Sequence, residues 1–291
     1  MTPRRYLLPA LLASSVLLTT ACTTGIPETT ANDETPALGH VHAMSFTSAG
    51  DLVVGSHHGV YSIDLDDGSA DLVGDVIFDA MGMTLNSDDV YVSGHPGAET
   101  DDVFVAPNIG LARYSPTTGW ESVALAGQTD FHGLSATPAD PDLIVGLPAD
   151  RPALAVSTDG GTTWSDVAEI EARDVIIDAA DPDRIMATTA DGPLISRDGG
   201  AVFTPMEDAP LLVVITSDPG RDGGFLGIDA EGAIWSGSTE EEQAHERLGH
   251  STGNPSAIAR DPDSGTIAVA DGRGIAISTD EGETWNVLLQ V

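Results

Sequence analysis

From residue 38 onward, apolar residues come in short runs separated by glycine, aspartate and serine. The runs DLVVGS, DVYVSG, DLIVGL, RIMATT, GFLGID and TIAVAD begin at Leu52, Val90, Leu143, Ile185, Phe225 and Ile267, spaced 38, 53, 42, 40 and 42 residues apart. An independent register is the octet at Ser157 (STDGGTTW), repeated at Ser196 (SRDGGAVF) and Ser278 (STDEGETW). Degenerate copies at Ser236, Ser115 and Ser62 bring this set to six as well. A repeat near 40 residues built from short β-runs and tight turns predicts a β-propeller with four strands per blade. The expected fold is therefore all-β, a six-bladed propeller over residues 38–291.

The octet S-x-D-x-G-x-T-W resembles the Asp-box, or BNR repeat, of sialidases and many other propellers. The resemblance implies a structural role: the Asp bonds backbone amides of the turn, glycine takes positive φ, and the Trp packs between blades. It also places the box between the third and fourth strands, away from the ligand-binding face, so Asp159, Asp198 and Asp280 are not read as catalytic. Strand A of blade 1 is expected at HVHAMSFT and strand D of blade 6 at TWNVLLQV, so that closure rests on blade 6 packing against blade 1.

The segment before the propeller is of another kind. Arg4 and Arg5, the apolar stretch Leu7 to Leu18, and Thr-Thr-Ala-Cys ending at Cys22 resemble a bacterial lipoprotein signal peptide, residues 1–21. Cys22 is the expected lipidation site, and residues 22–37 (CTTGIPETTANDETPA) read as a disordered tether. These features predict an extracytoplasmic protein, a monomer held at the bacterial cell membrane through a lipid anchor. A formal charge of −35, from 46 acidic and 11 basic residues, excludes nucleic acid as a main partner. Cys22 is the single cysteine, which excludes disulfides and cysteine-based zinc sites.

Candidate chemistry collects where the D–A and B–C connections meet the channel mouth. From the strand B start to the box serine, blades 1, 4, 5 and 6 use 10 or 11 residues and blade 3 uses 14, but blade 2 uses 25. The insertion, about residues 95–110, is thereby placed on the ligand face. His40 and His42 open strand A of blade 1, and His132 takes the matching place in blade 3, with Met81 in blade 2 and Arg173 in blade 4. His57 and His58 fall in the B–C turn of blade 1, His95 ends strand B of blade 2, and His250 enters the D–A turn before blade 6. Three readings of this cluster stand together: ordinary polar rim positions; a copper or zinc site from His42, His57, His95 and His132 with Met81 as a soft ligand; and an acid–base pocket using Asp79, Asp130 or Asp174. The ligand-binding set is His40, His42, His57, His58, His95, His132 and Arg173, for a transition metal or a cell-surface glycan.

HVHAM, SHHGVY, AMGM, SGHPG and DFHGLS followed by Asp-boxes are similar to bacterial lipoproteins described as BNR-repeat, glycosyl-hydrolase-like proteins. That resemblance implies a sialidase-like glycosidase or an envelope interaction scaffold as alternatives to simple ligand binding. Sialidase chemistry needs an Arg-Ile-Pro segment, which is missing, and a late-blade Tyr, whereas Tyr61, Tyr91 and Tyr114 fall in strand interiors. Arg151, Arg173 and Arg273 reach the ligand face, and carboxylate pairs among Glu99, Asp101, Asp102, Asp130, Glu171 and Asp174 leave another glycosidase open.

Overall fold

The computed structural model describes residues 38–87, 89–98, 100, 103–221, 223–240 and 245–290; Cys22, the expected signal peptide and the expected tether lie outside them. Six four-stranded antiparallel meanders follow one another along the chain. Blade 1 is β1 (Val41–Phe46), β2 (Leu52–Ser56), β3 (Gly59–Ile63) and β4 (Ala70–Leu72); blade 2 is β5 (Asp79–Asn86), β6 (Asp89–His95), β7 (Leu111–Ser115) and β8 (Gly119–Ala124). Blade 3 is β9 (Phe131–Thr137), β10 (Asp140–Pro148), β11 (Leu154–Ser157) and β12 (Ser165–Ala168); blade 4 is β13 (Asp174–Ile177), β14 (Ile185–Thr189), β15 (Gly192–Ser196) and β16 (Phe203–Pro205). Blade 5 is β17 (Leu212–Asp218), β18 (Gly224–Asp229), β19 (Ala233–Ser238) and β20 (Glu246–His250); blade 6 is β21 (Ala257–Arg260), β22 (Ile267–Asp271), β23 (Gly274–Ser278) and β24 (Asn286–Leu289). The first strand of each blade lines a central channel. The six-bladed propeller expected from the two repeat registers is the observed fold.

Why the strands read as unbroken apolar runs is now clear. Successive side chains on a strand point to opposite faces, and in a propeller both faces of a blade are covered by neighbours. Leu52 and Val54 pack toward blade 6 and Val53 toward blade 2. Ile185 and Ala187 face blade 3, and Met186 faces blade 5. Among the described residues the core is accordingly six clusters, each drawn from two consecutive blades. No blade mixes strands from the two ends of the chain. Ring closure rests on the cluster that sets small Ala257, Ala259, Ala268 and Ala270 of blade 6 against Met44, Leu52, Val54 and Tyr61 of blade 1.

The Asp-boxes are built as their residue types require. In blade 3, Ser157 Oγ donates to Asp159 Oδ1 (2.9 Å) and accepts from Gly161 N–H (2.9 Å), while Asp159 Oδ1 accepts from Thr163 N–H (2.8 Å). Blades 4 and 6 repeat the pattern at Ser196–Asp198 and Ser278–Asp280. Trp164 packs into the cluster shared by blades 2 and 3, and Trp285 into that shared by blades 5 and 6.

Candidate functional site

A recurrent irregularity at the start of the innermost strands creates the site. In β1 the pairing steps from Val41–Ser56 to Ala43–Gly55, in β5 from Ala80–Gly94 to Gly82–Ser93, and in β9 from Phe131–Pro148 to Gly133–Leu147. The residues passed over are His42, Met81 and His132. A bulge leaves one residue outside the ladder and redirects its side chain. Blades 1 to 3 thus present His, Met and His at equivalent places on the channel mouth. Blade 5 carries the same bulge at Val213, whereas β13 and β21 pair regularly. Two glycines let these strands close up. A Cβ on Gly82 would stand 2.4 Å from the Phe131 carbonyl oxygen, and one on Gly94, at φ 145°, would stand 1.9 Å from that of Asp79.

Two groups of donors result. In the first, the rings of His40, His42 and His57 lie 4.7–5.8 Å apart between centroids. His42, His57 and Asp79 each offer one ligand atom, all within 4.8 Å of one another. His42 Nε2 faces Asp79 Oδ1 at 3.7 Å, and both atoms are buried without a hydrogen-bond partner. In the second group, buried Asp130 sets Oδ2 at 2.8 Å from His132 Nε2 and 3.3 Å from His95 Nε2. His95 Nδ1 in turn lies 3.3 Å from the carbonyl oxygen of Pro107, in the insertion of blade 2. The groups adjoin, because Asp79 and His95 are cross-strand partners on β5 and β6.

The electrostatics of the two groups differ. Burial, reinforced by His40, His57 and His132 and opposed by Asp130, drops His42 to a pKa of about 4. His42 is therefore neutral at pH 7, and its contact with Asp79 is not an ion pair but a lone-pair donor or N–H set too far from a carboxylate to bond it. His132 moves the other way: its hydrogen bond to Asp130 raises its pKa against the effect of burial, with Asp130 and Asp79 adding attraction.

Other expected site residues are placed as follows. His58 sits exposed in the β2–β3 turn beside His57. Met81 is half-buried at the bulge of β5. Asp174 lines the channel with both oxygens engaged, Oδ1 by Val175 N–H and Oδ2 by Ile215 N–H, each at 2.9 Å. Burial raises its pKa to about 6 against those bonds. The contact to Ile215 ties blade 4 to blade 5 just as Ser135 Oγ accepts from Ile177 N–H (3.0 Å) across blades 3 and 4. Arg151 is spent on Asp150 and Asp166, and Arg273 on Asp271. Arg173 is exposed and borders, with His132, a cavity of about 630 Å³ between blades 3 and 4. His250 ends β20, where its backbone N–H donates to Gly282 O (3.3 Å), and His245 precedes β20 beside Phe225. Glu99, Asp101 and Asp102 lie outside the described residues. The sequence reading left unnoticed the contribution of Pro107 and the sharing of Asp130 by two histidines; the only trace of either is the HPG start of the insertion and the DFH order at Asp130–His132.

A family model described as the BNR/Asp-box repeat matches residues 155–166, the blade 3 box. No curated protein sequence matches the chain. Among solved structures, a chain of a nidogen/laminin complex is similar at TM-score 0.60 and 14% identity, over 79% of this chain and 89% of that one. The GH74 xyloglucanase of Xanthomonas campestris is similar at TM-score 0.54 and 17% identity, over 85% of this chain and 45% of the xyloglucanase. At such identities the likeness is one of fold. The repeat match and the blade architecture agree that the chain is a six-bladed β-propeller carrying BNR/Asp-box repeats.

Proposed function

We propose that the propeller binds a divalent transition metal, zinc or copper, at its channel mouth through His42, His57 and Asp79, on the outer side of the membrane to which Cys22 anchors it. The observation that carries this reading is the buried, unpartnered pair His42 Nε2 and Asp79 Oδ1, 3.7 Å apart. Leaving two such polar atoms unpaired inside a protein costs about 1–3 kcal/mol each, which a shared cation would remove. Neutral His42 has its lone pair available at pH 7, and an imidazole–carboxylate set with His40 alongside suits a borderline cation. The net charge of −35 favours cation entry.

Equilibrium dialysis of the purified chain against zinc and against copper(II), followed by elemental analysis, tests the assignment. At least one equivalent is expected, and a His42→Ala, His57→Ala double variant should bind one equivalent fewer than wild type. No metal above the variant's background would remove the reading. A glycan held or hydrolysed at the same mouth is the second reading, favoured by Asp79 and Asp130 both facing it and by a fold neighbour named as a xyloglucanase.

A further inference from the structure

Asp130 is 6% exposed, and only one of its oxygens is used. Oδ2 serves both His132 Nε2 (2.8 Å) and His95 Nε2 (3.3 Å), whereas Oδ1 is buried and bonds nothing. Carboxylates at that depth ordinarily have both oxygens satisfied. His95 is held from behind: its Nδ1 lies 3.3 Å from Pro107 O, and its Nε2 is the nitrogen turned toward Asp130. A backbone carbonyl on the far nitrogen is the usual means of fixing an imidazole ligand's tautomer and aim. His95 and His132 are 45% and 49% exposed, so the open side of this trio is reachable from solvent.

We propose that His95, Asp130 and His132 form a second cation subsite beside the His42–His57–Asp79 subsite, so that the mouth takes a pair of divalent metal ions. The pair rests on the reading given under Proposed function; the second subsite has its own residues and its own unpartnered oxygen. Each trio offers two imidazoles and one carboxylate, so both take the same class of metal. The β5–β6 pairing of Asp79 with His95 makes them neighbours, and the cavity of about 630 Å³ that opens at His132 gives a ligand oxygen a way to the second ion. Adjacent cations of this kind bind and polarise oxygen anions between them.

Titration of the chelator-treated full chain with cobalt(II), read by visible absorption and by elemental analysis, separates the possibilities. Wild type is expected to take two equivalents. His57→Ala should keep one, and both Asp130→Asn and His132→Ala should keep one, with different absorption spectra for the two survivors. His132 is half-exposed, so its variant serves if Asp130→Asn does not fold. One equivalent in wild type, unaffected by His132→Ala, overturns the second subsite and leaves the first. One equivalent abolished by His57→Ala and by His132→Ala alike shows a single shared site and overturns the pair. No cobalt at all overturns both readings.

Discussion

Replacing His42 by Gln should change how stability depends on pH, with a sign and size set by the burial of the imidazole. Its pKa falls from 6.5 in the unfolded chain to about 4 in the folded one, and its side chain is only 13% exposed. Above the unfolded value both states are neutral and His42 contributes nothing to the pH dependence. As pH falls from there toward the folded value, the unfolded chain takes up a proton that the folded chain refuses, so stability is lost. The full loss, reached below about pH 4, is on the order of 3 kcal/mol; at about pH 5 it is already ~2 kcal/mol. His132 opposes this, since a raised histidine pKa contributes stability below the unfolded value that disappears as pH rises through the folded one. The comparison must therefore be between proteins. Urea unfolding of wild type and His42→Gln, in chelator at about pH 8 and about pH 5, isolates the His42 contribution. Wild type should lose ~2 kcal/mol more than the variant over that interval. An equal loss in both would refute the burial of a neutral imidazole at this position, and with it the availability of His42 as a ligand at neutral pH.

Metal retention at the mouth should itself fall as pH drops toward about 4, where folded His42 takes up a proton and loses its lone pair, which dialysis at stepped pH will register. Gly82→Ala sets a Cβ 2.4 Å from the Phe131 carbonyl oxygen, and should cost about 1–3 kcal/mol in urea unfolding and weaken metal retention with it. Ser278→Ala leaves the buried Gly282 N–H without its 2.8 Å acceptor, and should cost about 1–2 kcal/mol while metal stoichiometry stays as in wild type. Leu289→Ala truncates a buried side chain in the cluster that closes the ring, and should cost about 2–4 kcal/mol, seen as a lower urea midpoint.

The blade count was legible because both faces of every blade are buried: the resulting apolar runs and the box serines repeat at nearly one period, and each register counts six by itself. The histidines were legible as a group, since HAM, MGM and HGL occupy one place in the repeat. What brings them together was not. A bulge exists only relative to the register of the partner strand, and the sole mark on the sequence is glycine at 82 and 133, after Met81 and His132, with alanine after His42. Asp174 looked equivalent to Asp79 and Asp130 as a carboxylate near the mouth. Its engagement depends on Ile215, 41 residues away on the next blade, a distance no local pattern encodes. The arginines divide for the same reason, Arg151 and Arg273 being hydrogen-bonded to specific carboxylates and Arg173 being exposed and acting on Asp174 through its charge.

Aspartate serves two opposite purposes in this protein, and the contrast argues for where its chemistry resides. In the boxes, hydrogen bonds from Thr163, from Val202 and from Thr284, joined by the box serines, hold Asp159, Asp198 and Asp280 below the usual carboxylate range, Asp280 at about 2. Those carboxylates accept hydrogen bonds from their own loops, which makes them poorer bases, and they set the turn between third and fourth strands. At the opposite end of the blades, Asp79 and Asp130 each keep a buried oxygen that no protein donor reaches, and imidazole nitrogens surround them. Burial without satisfaction is costly unless something outside the chain completes the site. The repeat that gives the boxes of blades 3, 4 and 6 their hydrogen bonds leaves buried polar atoms unpartnered at the mouth of blades 1 to 3, and that contrast is the ground for proposing a cation there.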